Sequence, residues 1–115
     1  MNYLVVAALD QYARRYGDEF TIEYPHRSGQ QRTLAWVAND LRERLVSIFL
    51  PGEDGVRPMF AGIAAPDPGW ADALLFFEYF HGDDGRGLGA SHQTGWTGLV
   101  ADLVIRLSHD RERQP

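Results

Sequence analysis

Leu4, Val5, Ala8, Leu9, Tyr12 and Tyr16 recur at three-to-four spacing, with Asp10, Gln11, Arg14 and Arg15 largely opposite. The pattern predicts a helix from residue 2 or 3 to Tyr16, stopped by Gly17. Phe20, Ile22 and Tyr24 then alternate with polar residues as a half-buried strand does, and Pro25 ends it. The turn-forming residues His26 to Gln31, centred on Ser28-Gly29, return the chain through Arg32 and predict a β-hairpin. Thr33 is placed to cap a second helix reaching Phe49, with Leu34, Val37, Ala38, Leu41, Leu45 and Ile48 inward. Asn39, Asp40, Arg42, Glu43 and Ser47 fall outside that stripe.

The remaining pattern is less regular. Four of the six prolines lie between Pro51 and Gly69, which predicts a long loop. Ala73 to Phe80 is apolar and aromatic apart from Glu78, and predicts a short buried strand. Gly82 to Ala90 is too glycine-rich for regular structure. A third helix capped by Thr94 is expected to run to about Ser108, with Trp96, Leu99, Val100, Leu103, Val104 and Leu107 as its stripe. Ala101 and Ile105 add apolar groups on a further face, and His109 to Pro115 form a charged tail. The chain reads as mainly α: about three helices, one short hairpin and one short strand.

Composition narrows the classes. At 115 residues the length allows one domain, and a net charge of -5 has the wrong sign for a general nucleic-acid binder. Without cysteine there is neither a disulfide scaffold nor a thiolate metal site. No segment approaches the roughly 20 apolar residues of a membrane span. The N-terminus lacks the basic region of a signal peptide, so a soluble, cytoplasmic protein is expected.

Glu78 is the residue that stands out chemically. Burying a lone carboxylate in Leu74-Leu75-Phe76-Phe77-Glu78-Tyr79-Phe80 without a partner would cost several kcal/mol or force protonation, roughly. Such an environment suits a proton-transfer group. The competing reading puts Glu78 on the wet face of an edge strand. The cluster Gly82, Gly85, Gly87 and Gly89 does not have the spacing of a dinucleotide fingerprint. Asp83-Asp84-Gly85 lacks the later ligands of a calcium loop. His81 and His92 have no second ligand pair, so no metal and no cofactor is expected.

Read as one block, Phe77 to Val100 resembles the C-terminal signature of glycoside hydrolase family 63 and the related glucosylglycerate and mannosylglycerate hydrolases. The features are a Glu just after an aromatic strand, a Gly-x-Gly turn about seven residues on, and Thr94-Gly95-Trp96 opening the last helix. The resemblance implies the C-terminal part of an (α/α)6 toroid in an α-glycosidase that inverts configuration. Residues 1–108 would then be a partial catalytic domain and 109–115 a tail. It implies that Glu78 is the general base, and that Gln93, Trp96 and His92 contribute to the sugar site. The general acid would lie on an absent segment. That makes the chain inactive alone, and its start would reflect a truncated, internally initiated or split gene. The implied partners are a small carbohydrate or glycosylglycerate substrate and the missing N-terminal part, with no nucleic acid and no membrane. A rival expectation is a small interaction module that docks through its apolar helix faces on a partner or on a second copy.

Overall fold

The computed structural model describes residues 1–63, 74–92 and 95–112. Among them are three α-helices and two two-stranded antiparallel sheets. The chain divides into two compact units, Met1–Arg44 and Leu45–Pro115. A mainly helical architecture is observed as expected, but three helices do not form a ring.

The first unit is built from α1 (Asn2–Tyr16), β1 (Thr21–Glu23), β2 (Gln31–Thr33) and most of α2 (Leu34–Ser47). Gly17 closes α1 at φ 69, a left-handed conformation that glycine adopts without a Cβ penalty, and its N–H donates to the Ala13 carbonyl. β1 and β2 pair with Thr21 opposite Thr33, Ile22 opposite Arg32 and Glu23 opposite Gln31. The Thr33 hydroxyl accepts the Trp36 N–H at 3.2 Å, the expected cap at the start of α2.

The helix faces differ from expectation. In α1 the buried side is marked by Val6, while Leu4, Val5, Tyr12 and Tyr16 are exposed. Asp10, placed on the polar side by its residue type, pairs with Arg42, which the α2 pattern had put outside. Arg42 is in fact 3 % exposed. Arg42 Nη2 donates to Asp10 Oδ1 at 2.9 Å and Oδ2 at 2.8 Å, and Nη1 donates to the Asn39 amide oxygen at 3.2 Å. A carboxylate, not an apolar residue, thus occupies part of the inner face of α1. Around it Val6, Leu34, Val37 and Ala38 are buried.

A second polar network lies on the hairpin side of α2. The Tyr24 hydroxyl donates to Asp40 Oδ2 at 2.7 Å, and Arg44 Nε donates to the same oxygen at 2.8 Å. Trp36 packs edge-on against Tyr24, and the Arg32 guanidinium lies 4.6 Å from the Trp36 ring centre. Burial, followed by the hydrogen bond to Asp40 and its charge, holds the Tyr24 phenol above its ordinary 10.0.

The second unit is organised by aromatic rings. Phe49, Met59, Phe60 and Phe77 are buried together, with Ile48, Leu75, Phe76, Phe80 and Val100 packed against them. Met59 and Phe60 come from a 3-10 turn, Pro58–Phe60, inside the stretch expected to be loop. Its Met59 N–H donates to the Ile48 carbonyl at 3.2 Å, which ties the stretch to the end of α2. Edge-on contacts join Phe49 to Phe80, Phe60 to Phe77 and Phe77 to Phe80.

The strand expected at Ala73 to Phe80 is reduced to β3 (Tyr79–Phe80), paired with β4 (Gly87–Leu88). A 3-10 turn, Trp96–Leu99, leads into α3 (Val100–Glu112), whose Leu103 and Leu107 are buried. α3 runs past Ser108 into the stretch expected to be a tail. Thr94, the expected cap, lies outside the described residues. Among the described residues no helix is long and apolar enough to cross a membrane.

Candidate functional site

Glu78 is exposed, so the burial that made it conspicuous in the sequence is absent and the wet-face reading is the correct one. The alternation explains this: Phe77 turns into the aromatic core at 5 % exposure, and its neighbour must turn out. Glu78 still sits in a specific backbone setting. Its N–H donates to the Ala90 carbonyl at 3.0 Å, and the Ala90 N–H donates back to Glu78 Oε2 at a long 3.4 Å. Among the described residues no cation pairs with its carboxylate.

The hairpin register makes Gly89 an extra residue. Tyr79 pairs with Leu88, yet Glu78 bonds to Ala90, so Gly89 has no residue opposite it. Its φ of +74 is the left-handed conformation of a glycine bulge. A Cβ built there would stand 2.6 Å from Glu78 Oε2, 2.9 Å from Glu78 Cβ and 3.0 Å from the Tyr79 ring. Gly87 is required for a different reason: a Cβ at that position would run into the Phe77 ring. The glycine spacing that matched no known fingerprint thus reflects one core contact and one bulge.

The turn between the strands is closed by its own charges. The Asp84 carboxylate accepts the Arg86 N–H at 3.1 Å and Arg86 Nη1 at 2.6 Å. The backbone bond from Arg86, aided by the guanidinium charge, holds the Asp84 carboxyl below its ordinary 3.8. Asp84 is therefore ionised near neutrality and cannot donate a proton to a leaving group there.

Of the other expected site residues, His92 is exposed and forms an isolated parallel bridge with Phe76, two residues before Glu78. Trp96 is 59 % exposed at the first position of the 3-10 turn. Gln93 lies outside the described residues. His81 serves the turn, its Nδ1 accepting the Asp83 N–H at 3.3 Å. Among the described residues no group of three His, Asp or Glu side chains could hold a metal ion. Tyr79, 56 % exposed beside Glu78, escaped the sequence reading because its aromatic neighbours suggested that the whole segment was core.

Over 107 residues the chain is 45% identical to an uncharacterized protein of Saccharomyces cerevisiae, a match that takes in 90% of this chain and 10% of the yeast protein. The chain spans about a tenth of the length of that relative. No family model matches the chain. No solved structure matches it either. These findings overturn the resemblance to glycoside hydrolase family 63: the signature from Phe77 to Val100 does not place the chain in that family, and the yeast relative carries no such designation.

Proposed function

We propose that this chain is a segment of a larger catalytic domain, to which it supplies Glu78 as the water-activating carboxylate of an inverting α-glycoside hydrolysis. The observation that carries the reading is an exposed carboxylate with no described cation partner, beside a widely exposed aromatic ring, Tyr79. An exposed carboxylate is open to a water molecule, and exposed aromatic faces suit the apolar face of a sugar ring. Trp96, on the same unit, offers a second such surface.

In this mechanism Glu78 takes a proton from water as the water attacks the anomeric carbon, and a carboxylic acid on the opposite face protonates the leaving oxygen. The two carboxyls must stand about 6.5–9.5 Å apart to leave room for that water. Asp84 is ionised by its Arg86 contacts and does not fill the acid role. The acid belongs to the rest of the larger protein, and a helical ring completed by that remainder is the finer architecture the proposal implies. The chain alone binds a sugar weakly and turns nothing over.

Titration of the labelled chain with glucosylglycerate, mannosylglycerate and a simple α-glucoside tests the first half. Resonances of Tyr79, Ala90 and Trp96 are expected to shift together. The second half is tested on the full-length yeast relative: replacing the position aligned with Glu78 by Gln should lower turnover on such glycosides about 10²–10⁴-fold. No shift with any of the sugars, together with no hydrolysis by the full-length relative, defeats the proposal.

A second reading rests on α1. Leu4, Val5, Tyr12 and Tyr16 stay exposed along a helix of 15 residues, about 22 Å, with Tyr12 stacked on Tyr16, and Phe20 extends the stripe with its ring tilted against Tyr16. Such a continuous apolar strip suits docking onto the remainder of the longer polypeptide that the yeast relative exemplifies. Size-exclusion chromatography checks it: the chain alone should self-associate, and the doubly substituted Leu4→Glu, Tyr12→Glu chain should elute as a monomer. A wild-type monomer with cooperative unfolding excludes it.

A further inference from the structure

We propose that Gly89 is a positioning residue for Glu78, its bulge and missing side chain fixing where the carboxylate lies; the inference rests on the proposed base role of Glu78. Three observations meet at this point. The bulge makes Gly89 the one residue of the returning segment that has no partner between Glu78 and Tyr79. Its left-handed φ of +74 turns the following N–H, that of Ala90, toward Glu78 Oε2. The space that a Cβ would fill is already occupied by Glu78 Oε2 and Cβ. The glutamate side chain therefore lies across the bare α-carbon, and any larger residue must push it away.

The neighbouring glycine separates positioning from folding. Gly87 protects the Phe77 ring in the aromatic core, so its replacement disturbs packing. The atoms nearest to a Cβ at Gly89 belong to Glu78 and the exposed Tyr79, so its replacement moves the carboxylate and leaves the core in place. A bulge beside a reactive group commonly serves to re-aim one side chain in this way.

The test uses the whole 115-residue chain and needs no turnover. The Ala90 amide is followed by NMR as pH is swept across the carboxylate range, and the titration that vanishes in Glu78→Gln is assigned to Glu78. In Gly89→Ala that titration is lost from Ala90 while the Phe77 and Phe80 ring resonances stay in place. Gly89→Asn, a residue type that accepts positive φ more readily, loses it equally, which separates the contact from backbone strain. The denaturation midpoint supplies a second reading: the loss caused by Gly89→Ala should shrink by about half or more in a Glu78→Gly background. Should Gly89→Ala fail to fold, recovery of folding in that double variant supports the contact, and no recovery overturns it. Retention of the Ala90 titration, or an equal midpoint loss in both backgrounds, also overturns the proposal. If the full-length relative hydrolyses no glycoside while these readouts hold, the base role falls and the positioning of Glu78 stands.

Discussion

The two compact units solve the problem of a small interior in different ways. The first closes on a part-buried ion pair, half-buried Asp10 with buried Arg42, among a few aliphatic residues, and adds a Tyr24-Asp40-Arg44 network. The second closes on rings, with Phe49, Phe60 and Phe77 around a Met59 that is 0 % exposed. Charge holds its partners by direction and cannot be shortened by one atom without leaving an orphan. Rings hold theirs by area. The second unit can therefore present Glu78 and Tyr79 outward from a hairpin whose inner side is anchored by Phe77.

Phe77→Ala tests this contrast most severely. It removes a ring that touches Phe60 and Phe80, and should destabilise the second unit by about 4 kcal/mol, the cost of emptying a buried aromatic site. Hydrogen exchange resolved by residue would show the loss in Leu45–Pro115, and equal loss of protection around Val6 and Ala38 would break the division into two kinds of interior.

Arg42→Met should cost about 3 kcal/mol, the lower end for breaking a buried pair, since the Asp10 carboxylate keeps some contact with water. Combining it with Asp10→Leu should return most of the loss, because an apolar pair of similar volume leaves no unpaired charge. Urea unfolding of the three variants gives the comparison. If the double variant is as unstable as the single one, the pair does more than neutralise itself.

Tyr24→Phe is smaller, about 1 kcal/mol for one part-buried hydrogen bond. It carries a pH signature. The folded chain favours the neutral phenol, so the contribution of Tyr24 is complete below its unfolded value near 10 and is lost as pH rises through the raised folded value. Stability measured against pH on the alkaline side should fall less steeply in Tyr24→Phe than in the wild-type chain. Leu4→Glu with Tyr12→Glu comes last, changing stability by no more than about 0.5 kcal/mol per site while abolishing self-association.

Element positions were legible where a local signal marked them. Gly17 ends α1, Ser28-Gly29 turns the hairpin and Thr33 caps α2, each through chemistry confined to a few neighbouring residues. Facing was not legible in the same way. The inward side of α1 depends on Arg42, 32 residues away, and no helical period reports a partner at that distance. Pro58-Met59-Phe60 was hidden by the prolines and glycines around it, although its two large apolar residues were the available sign of a core segment. At the site, Glu78 was visible as an outlier, but its environment was misjudged because the apolar run around it suggested burial from both sides. Alternation between Phe77 and Glu78 was the better guide. Tyr79 departs from it because the Gly89 bulge alters the register between them.

That bulge also makes the hairpin sensitive to length in a way that substitution does not reveal. Removing Gly89 altogether, instead of enlarging it, would leave Tyr79 opposite Leu88 and set Ala90 directly opposite Glu78, straightening the ladder. The left-handed turn that aims the Ala90 N–H at the Glu78 carboxylate would go with it. Shortening the hairpin by this one residue would therefore cost the Glu78 contact while the pairing on either side survives.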